Sequence, residues 1–197
     1  MPSKSGILAS KSPRRKNILR QIGLDFEIIP SNIHEDLELN FGPRKFAEYW
    51  SEQKAKAISK KHKNKIVIGA DTIVYLNGEI LGKPKNKEES FNMLNKLSGN
   101  THKVVTGVSI AYNENNILRT FSETTRVTVR TIPTEDIQYY IDNYSTLDKA
   151  GSYGIQDWFS VWIKKIDGCY YNVMGLPISK FYKNYILVKK LSNDKNK

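Results

Sequence analysis

Four segments of the chain carry side chains whose types and spacing suit chemistry on an anion. Ser10-Lys11-Ser12-Pro13-Arg14-Arg15 sets two arginines just inside a proline-opened helix start. The unpaired N–H groups and partial positive charge of a helix N-terminus suit a phosphate, and guanidinium forks match phosphate oxygens two at a time. Cations at that end oppose the helix dipole, so they need an anion or another compensation; the alternative is an ordinary cap with solvated arginines. Gly69-Ala70-Asp71-Thr72 closes the most apolar run of the chain. Open α/β sheets put ligands beyond the carboxyl ends of strands. An aspartate there can bind Mg²⁺ through oxygen, or orient and deprotonate a water; the alternative is a turn cap or a partner for a lysine.

Gly82-Lys83-Pro84 follows the hairpin dipeptide Asn77-Gly78. Its spacing is one residue short of a Walker loop and proline follows the lysine, which excludes that motif. Lys83 remains either a single phosphate ligand or a solvated lysine. Asp148-Lys149-Ala150-Gly151-Ser152-Tyr153-Gly154-Ile155-Gln156 is a glycine-interrupted loop. Glycines let backbone approach a ligand closely, and Gln156 offers a base edge a paired donor and acceptor; a structural turn is the alternative. Histidines 34, 62 and 102 are far apart and show no H-E-x-x-H pattern, and Cys169 is the single cysteine, so neither a histidine nor a cysteine zinc site is expected. His102 reads as structural. Glu35, Asp36 and Glu38 form an acidic cluster from which one carboxylate could join Asp71 around a cation.

Elements must position these groups. Gly6 to Ser10 reads as a first strand and Ser12-Pro13 as the start of a helix with Ile18, Leu19 and Ile22 inward and Gly23 as its stop. Phe26 to Ile29 reads as a second strand, and Pro43 to Lys61 as a helix. Ile66 to Ala70 has the continuous apolar character of a central strand. Ile73 to Leu76 and Ile80-Leu81 flank a hairpin turn. Asn86, with Glu89 three residues on, opens a helix ending at Ser98-Gly99. Lys103 to Tyr112 and Ile117 to Arg130 read as paired strands, and Thr134 as the cap of a helix. Ser160 to Ile166 and Tyr170 to Val173 read as a hairpin around Asp167-Gly168, and Pro177 opens a last helix. The expectation is an α/β fold with a mixed, twisted sheet flanked by helices. One domain spans 1–191 and a polar tail 192–197.

With 31 Lys+Arg against 20 Asp+Glu, the 197-residue chain carries +11, which attracts anions but names none. A hydrophobic content of 39% argues against a disordered chain. No run of about 18 apolar residues is present, and Ile7-Leu8-Ala9 is far short of a signal-peptide core, so a cytoplasmic protein without membrane spans is expected.

Six ordered blocks resemble the Maf family of nucleoside triphosphate pyrophosphatases. They are Ile7-Leu8-Ala9-Ser10-x-Ser12-Pro13-Arg14-Arg15; Gly69-Ala70-Asp71-Thr72; Leu81-Gly82-Lys83-Pro84; Leu97-Ser98-Gly99-x-Thr101-His102-x-Val104-x-Thr106-Gly107; Leu147-Asp148-Lys149-Ala150-Gly151-x-Tyr153-Gly154-Ile155-Gln156; and Tyr171-Asn172-Val173-x-Gly175-Leu176-Pro177. The resemblance implies hydrolysis of a nucleoside triphosphate to the monophosphate and pyrophosphate with a divalent cation, Mg²⁺ or Mn²⁺. It also implies a fold like that of inosine triphosphate pyrophosphatases, with a cleft between two lobes. It makes Asp71 the general base and assigns substrate selection to Arg14, Thr72 and Gln156. Ser10, Arg14, Arg15, Lys54 and Lys83 then hold phosphate, and Glu35 joins Asp71 at the metal. The D-K-A-G-x-Y-G-I-Q block looks like the branch acting on dTTP and UTP. A 7-methyl-GTP branch and a basic nucleic-acid-binding protein are the alternatives, although no nucleic-acid-binding signature is present. The family also carries a link to arrest of septum formation. A homodimer is expected, and nucleic acid is not expected as a partner. In one departure, Asp157-Trp158-Phe159 follows Gln156 where many relatives carry glycine, a bulkier segment beside the selecting side chain.

Overall fold

The computed structural model describes residues 5–36 and 39–194; Glu38 of the acidic cluster and residues 195–197 of the expected tail lie outside them. One seven-stranded mixed sheet organises the chain in the order β2-β1-β3-β5-β6-β7, with β4 paired to the free edge of β3. The strands are β1 (Ile7–Leu8), β2 (Glu27–Ile28), β3 (Ile66–Leu76), β4 (Glu79–Leu81), β5 (Thr101–Tyr112), β6 (Ile117–Val129) and β7 (Ile163–Asp167). The helices are α1 (Pro13–Gln21), α2 (Pro43–Ser59), α3 (Lys87–Leu97), α4 (Thr134–Asn143), α5 (Tyr170–Val173) and α6 (Ile178–Asp194).

β3 divides the molecule. Parallel pairing with β1 covers Val67 and Ile68, antiparallel pairing with β4 begins at Val74, and β5 runs along the whole opposite edge. Residues 69–73 therefore have a strand neighbour on one side only. The first part of β3 belongs to a core of Ile66, Ile68 and Ala70 with Ile18, Leu19 and Phe181. Its last part belongs to a second core of Val74 and Leu76 with Leu94, Leu97 and Tyr140. The gap in pairing falls between these two lobes, and a cleft opens there.

Local signals explain the helices. Ser12 caps α1 with proline at its first turn, and Asn86 accepts the Glu89 N–H at 2.8 Å to cap α3. Three expectations are corrected. The apolar run does not stop at Ala70: β5 pairs with β3 from Ile66 to Tyr75, so Asp71 lies inside a strand and not beyond its end. Tyr170 to Val173 is a helical turn, not the second strand of a hairpin, because Asn172 faces inward and donates to Val104 O and Thr125 Oγ1; β7 pairs with β6 instead. α6 continues through Ser192 to Asp194, so these residues do not fray into a tail.

Alternation along β3 sends Gly69, Asp71 and Ile73 to the face covered by α2, where Ile73 packs with Phe46 and Trp50. A Cβ on Gly69 would overlap the Ser51 carbonyl oxygen, and one on Gly107, directly opposite Asp71, would overlap that of Ala47. Two glycines thus let α2 lie against the sheet. Gly107→Ala is expected to lower the free energy of urea-induced unfolding by about 1–3 kcal/mol through overpacking; an unchanged midpoint would refute this contact.

Candidate active site

α2's close approach brings Lys54 down to the sheet. Its ammonium lies 2.7 Å from Asp71 Oδ1 and 2.6 Å from Glu35 Oε1, the latter presented by the loop after β2. Lys54 and Asp71 are both buried, at 9% and 4% exposure. A buried charge persists only when paired, so the bridge holds together two carboxylates that would otherwise repel. It leaves Asp71 Oδ2 buried without a partner among the described residues.

On the opposite face of β3, Thr72 enters a hydrogen-bond relay. Arg15 donates to Gly175 O at 2.8 Å, Ser10 Oγ at 2.9 Å and Thr72 Oγ1 at 2.9 Å. Thr106 Oγ1 donates its single proton to Asn172 O at 2.9 Å, so in the 3.0 Å contact between the two threonines Thr72 is the donor. Desolvation lowers the Arg15 pKa, Asp71 opposes that shift, and Arg14 adds to it. Ser10 Oγ accepts from both Arg15 and the Ser12 N–H, which leaves its proton for an acceptor in the cleft. No acidic residue occupies the first turn of α1, whose N-terminus opens on the same space.

The far wall is the 148–156 loop. Arg14 reaches it with a 2.7 Å ion pair to Asp148, and Lys149 binds Asp148 Oδ1 at 2.9 Å and the Ser145 carbonyl. Burial alone would raise Asp148, but the bonds and charges of Lys149 and Arg14 prevail and lower its pKa to about 2. Lys83 has no hydrogen-bond or ion-pair partner among the described residues. Desolvation, with help from Arg15 and Lys54 and against Glu35 and Asp71, pulls its ammonium below the usual lysine range. Gln156 is exposed at the cleft mouth.

The structure therefore gathers Ser10, Arg14, Arg15, Glu35, Lys54, Asp71, Thr72, Lys83 and Gln156 around one cavity of about 580 Å³. Six cations line it (Lys11, Arg14, Arg15, Lys54, Lys83 and Lys149) against three carboxylates, Glu35, Asp71 and Asp148. Asp157, Trp158 and Phe159 do not line it. Trp158 stacks on Tyr140 and Tyr144, and Phe159 is buried at 1% exposure, so these two bulky rings pack away from the cavity that Gln156 lines. Sequence reasoning assigned no role to Lys149, Thr106 or Asn172. The partners of Thr106 and Asn172 lie on other elements, whereas those of Lys149 are local, in Ser145 and Asp148. All three stand in the ordered sequence blocks, which was the signal available. His102 is structural, as expected: it is 1% exposed and its Nε2 meets Tyr153 Oη at 2.7 Å.

The profile of the Maf-like protein family matches residues 6–186. The dTTP/UTP pyrophosphatase of Thermosipho africanus is 47% identical over 89% of this chain and 89% of its own. That of Bacillus velezensis is 45% identical over 88% of this chain and 91% of its own. A solved HAM1 protein from Coxiella burnetii is 14% identical, with a TM-score of 0.43, over 64% of this chain and 73% of that one.

Burial lowers the His102 pKa to about 4. The unfolded imidazole takes up a proton near pH 6.5, whereas the folded one stays neutral until about pH 4, so protonation favours the unfolded chain across that window. Unfolding free energy is expected to be full above pH 6.5 and to fall by about 3 kcal/mol by pH 4. His102→Gln, which keeps a polar partner for Tyr153, should flatten the slope between pH 6.5 and 4.5 in denaturant titrations; an unchanged slope would assign it to other groups.

Proposed function

The chain belongs to the Maf family, and on that premise we propose that it hydrolyses dTTP and UTP to the monophosphate and pyrophosphate. The observation that carries the reading is the Asp71 carboxylate, with one oxygen held by Lys54 and the other buried and unpartnered inside a cleft lined by six cations. A nucleoside triphosphate bears three linked phosphates and needs such a cleft; little covalent work is left to the protein beyond positioning and charge stabilisation.

In this reading a water attacks the α-phosphorus, and the bond from that phosphorus to the α,β-bridging oxygen breaks. Pyrophosphate carries away the electron pair. Asp71 Oδ2 accepts the water's proton. Ser10, Arg14, Lys54 and Lys83 hold phosphate oxygens, and the N-terminus of α1 adds its N–H groups. Arg15, with three N–H directions committed within the protein, fixes Ser10 and Thr72 beside the phosphates and adds its charge. Arg14, Thr72 and Gln156 select the substrate.

The donor set also fits a hard divalent cation. Glu35 and Asp71 supply only oxygens, the donors a hard cation prefers, and no group of three metal-ligating side chains exists among the described residues. Mg²⁺ is commonly held by one or two carboxylates together with substrate phosphates, and Mn²⁺ accepts similar oxygen donors. Glu35 and Asp71 would hold it, and it would supply neutralisation of phosphate charge. No helix among the described residues is long and apolar enough to cross a membrane.

Purified protein with Mg²⁺ should release pyrophosphate from UTP and dTTP ahead of other triphosphates. Asp71→Asn should lower kcat by about 10²–10⁴-fold, the scale of a lost general base. Release of orthophosphate instead, or full activity in Asp71→Asn, would overturn the mechanism. Gln156→Ala should reduce the ratio of kcat/KM for UTP to that for CTP while leaving pyrophosphate as the product.

A further inference from the structure

Gln156 has no hydrogen-bond partner of its own among the described residues, so its placement depends on the backbone that carries it. That backbone is tied on both sides to a single hydroxyl. Tyr140 Oη, from α4, accepts the Gly154 N–H at 3.0 Å and donates to the Asp157 carboxylate, whose oxygens lie 3.0 and 3.1 Å away. Ile155 and Gln156 are the two residues between these anchors. The Asp157 N–H donates back to Gly154 O at 3.4 Å and closes the bracket as a turn.

Each anchor is itself held. Tyr140 is 1% exposed, stacked with Tyr144 at 5.2 Å and Trp158 at 6.1 Å and tilted onto Phe159 at 5.3 Å. Asp157 Oδ1 also accepts the Phe159 N–H at 3.2 Å and caps the 3₁₀ turn Trp158–Trp162. A Cβ on Gly154 would overlap the Asp157 carboxylate, so the close approach of the two anchors needs glycine there. Burial first, then the Asp157 charge, raises the phenol pKa, which keeps it a proton donor throughout the working pH range.

We propose that Tyr140 and Asp157 are positioning residues for substrate selection, holding Gln156 at one depth and angle over the base. This rests on the reading of Gln156 as the selecting side chain. A carboxamide can meet either a uracil or a cytosine edge by turning over, because each edge offers one donor beside one acceptor in opposite order. Turning over is a rotation of the side chain itself, so what the bracket supplies is the depth and direction from which the carboxamide meets the base. A carrier that shifts loosens the productive pose on uracil and narrows the difference between the two bases.

The test is a double-mutant cycle read as the UTP to CTP ratio of kcat/KM. Tyr140→Phe, which keeps the stacked ring and removes only the hydroxyl, should lower the ratio by about fivefold or more, through KM for UTP more than through kcat. Gln156→Ala should lower it at least as much, and the combined variant should lose nothing further, since the hydroxyl acts through the side chain already removed. Asp157→Asn, which retains acceptors for Tyr140 and Phe159, should keep the ratio, and Asp157→Ala should lower it; this pair decides the matter if Tyr140→Phe does not fold. An unchanged ratio in Tyr140→Phe or Asp157→Ala beside a reduced one in Gln156→Ala, or additive losses in the combined variant, overturns the bracket. An unchanged ratio in Gln156→Ala overturns the selecting role of Gln156 and this inference with it.

Discussion

One buried ammonium organises this protein. Lys54 stands between Asp71 and Glu35 with 2.7 and 2.6 Å contacts, and a charge so far from water is tolerable only while both partners hold it. For Lys54 to arrive there, α2 must press onto the sheet, which explains why Gly69 and Gly107 have no room for a side chain. For Glu35 to arrive, the chain after β2 must fold back over the open edge of β3. A change that lifts α2 or that loop thus strands a charge as well as opening a gap.

The two faces of β3 do different work because successive side chains point opposite ways. Asp71 faces the charged bridge, and Thr72, its neighbour in sequence, faces the relay from Arg15 through Thr106 to the Asn172 carbonyl. That relay joins the start of α1, the middle of the sheet and the α5 turn. Arg15 consequently acts on the cleft in two ways, by its charge and by fixing hydroxyls contributed by β1's end and by β3.

Much of this was legible in the sequence where the signal is local. Ser12-Pro13 and Asn86 mark helix starts through groups that bond within three residues, and the apolar run 66–70 marks the central strand. The site residues were legible as types in blocks, and the structure brings them to one cavity. What could not be read depends on partners far along the chain. Nothing local says that β5 would carry β3 through Asp71 to Tyr75. Tyr170 to Val173 has strand-like composition, yet the bonds of Asn172 to residues 104 and 125 turn it into a helix. Asp157-Trp158-Phe159 suggested crowding at the cleft, whereas a row of aromatic rings on α4 draws Trp158 and Phe159 the other way.

The interrupted pairing of β3 has a further consequence, for solubility. A strand edge without a neighbour invites another chain to add to it, and proteins blunt such edges by keeping them short or charged. Here the bare stretch, residues 69–73, is bounded by β1 on one side and β4 on the other. It is walled by the start of α1 and the 30–35 loop, with buried ions along its floor. An extended strand finds only five residues of edge there, and a strand of this cationic chain meets a wall of like charge, so the opening is closed to the chain's own kind.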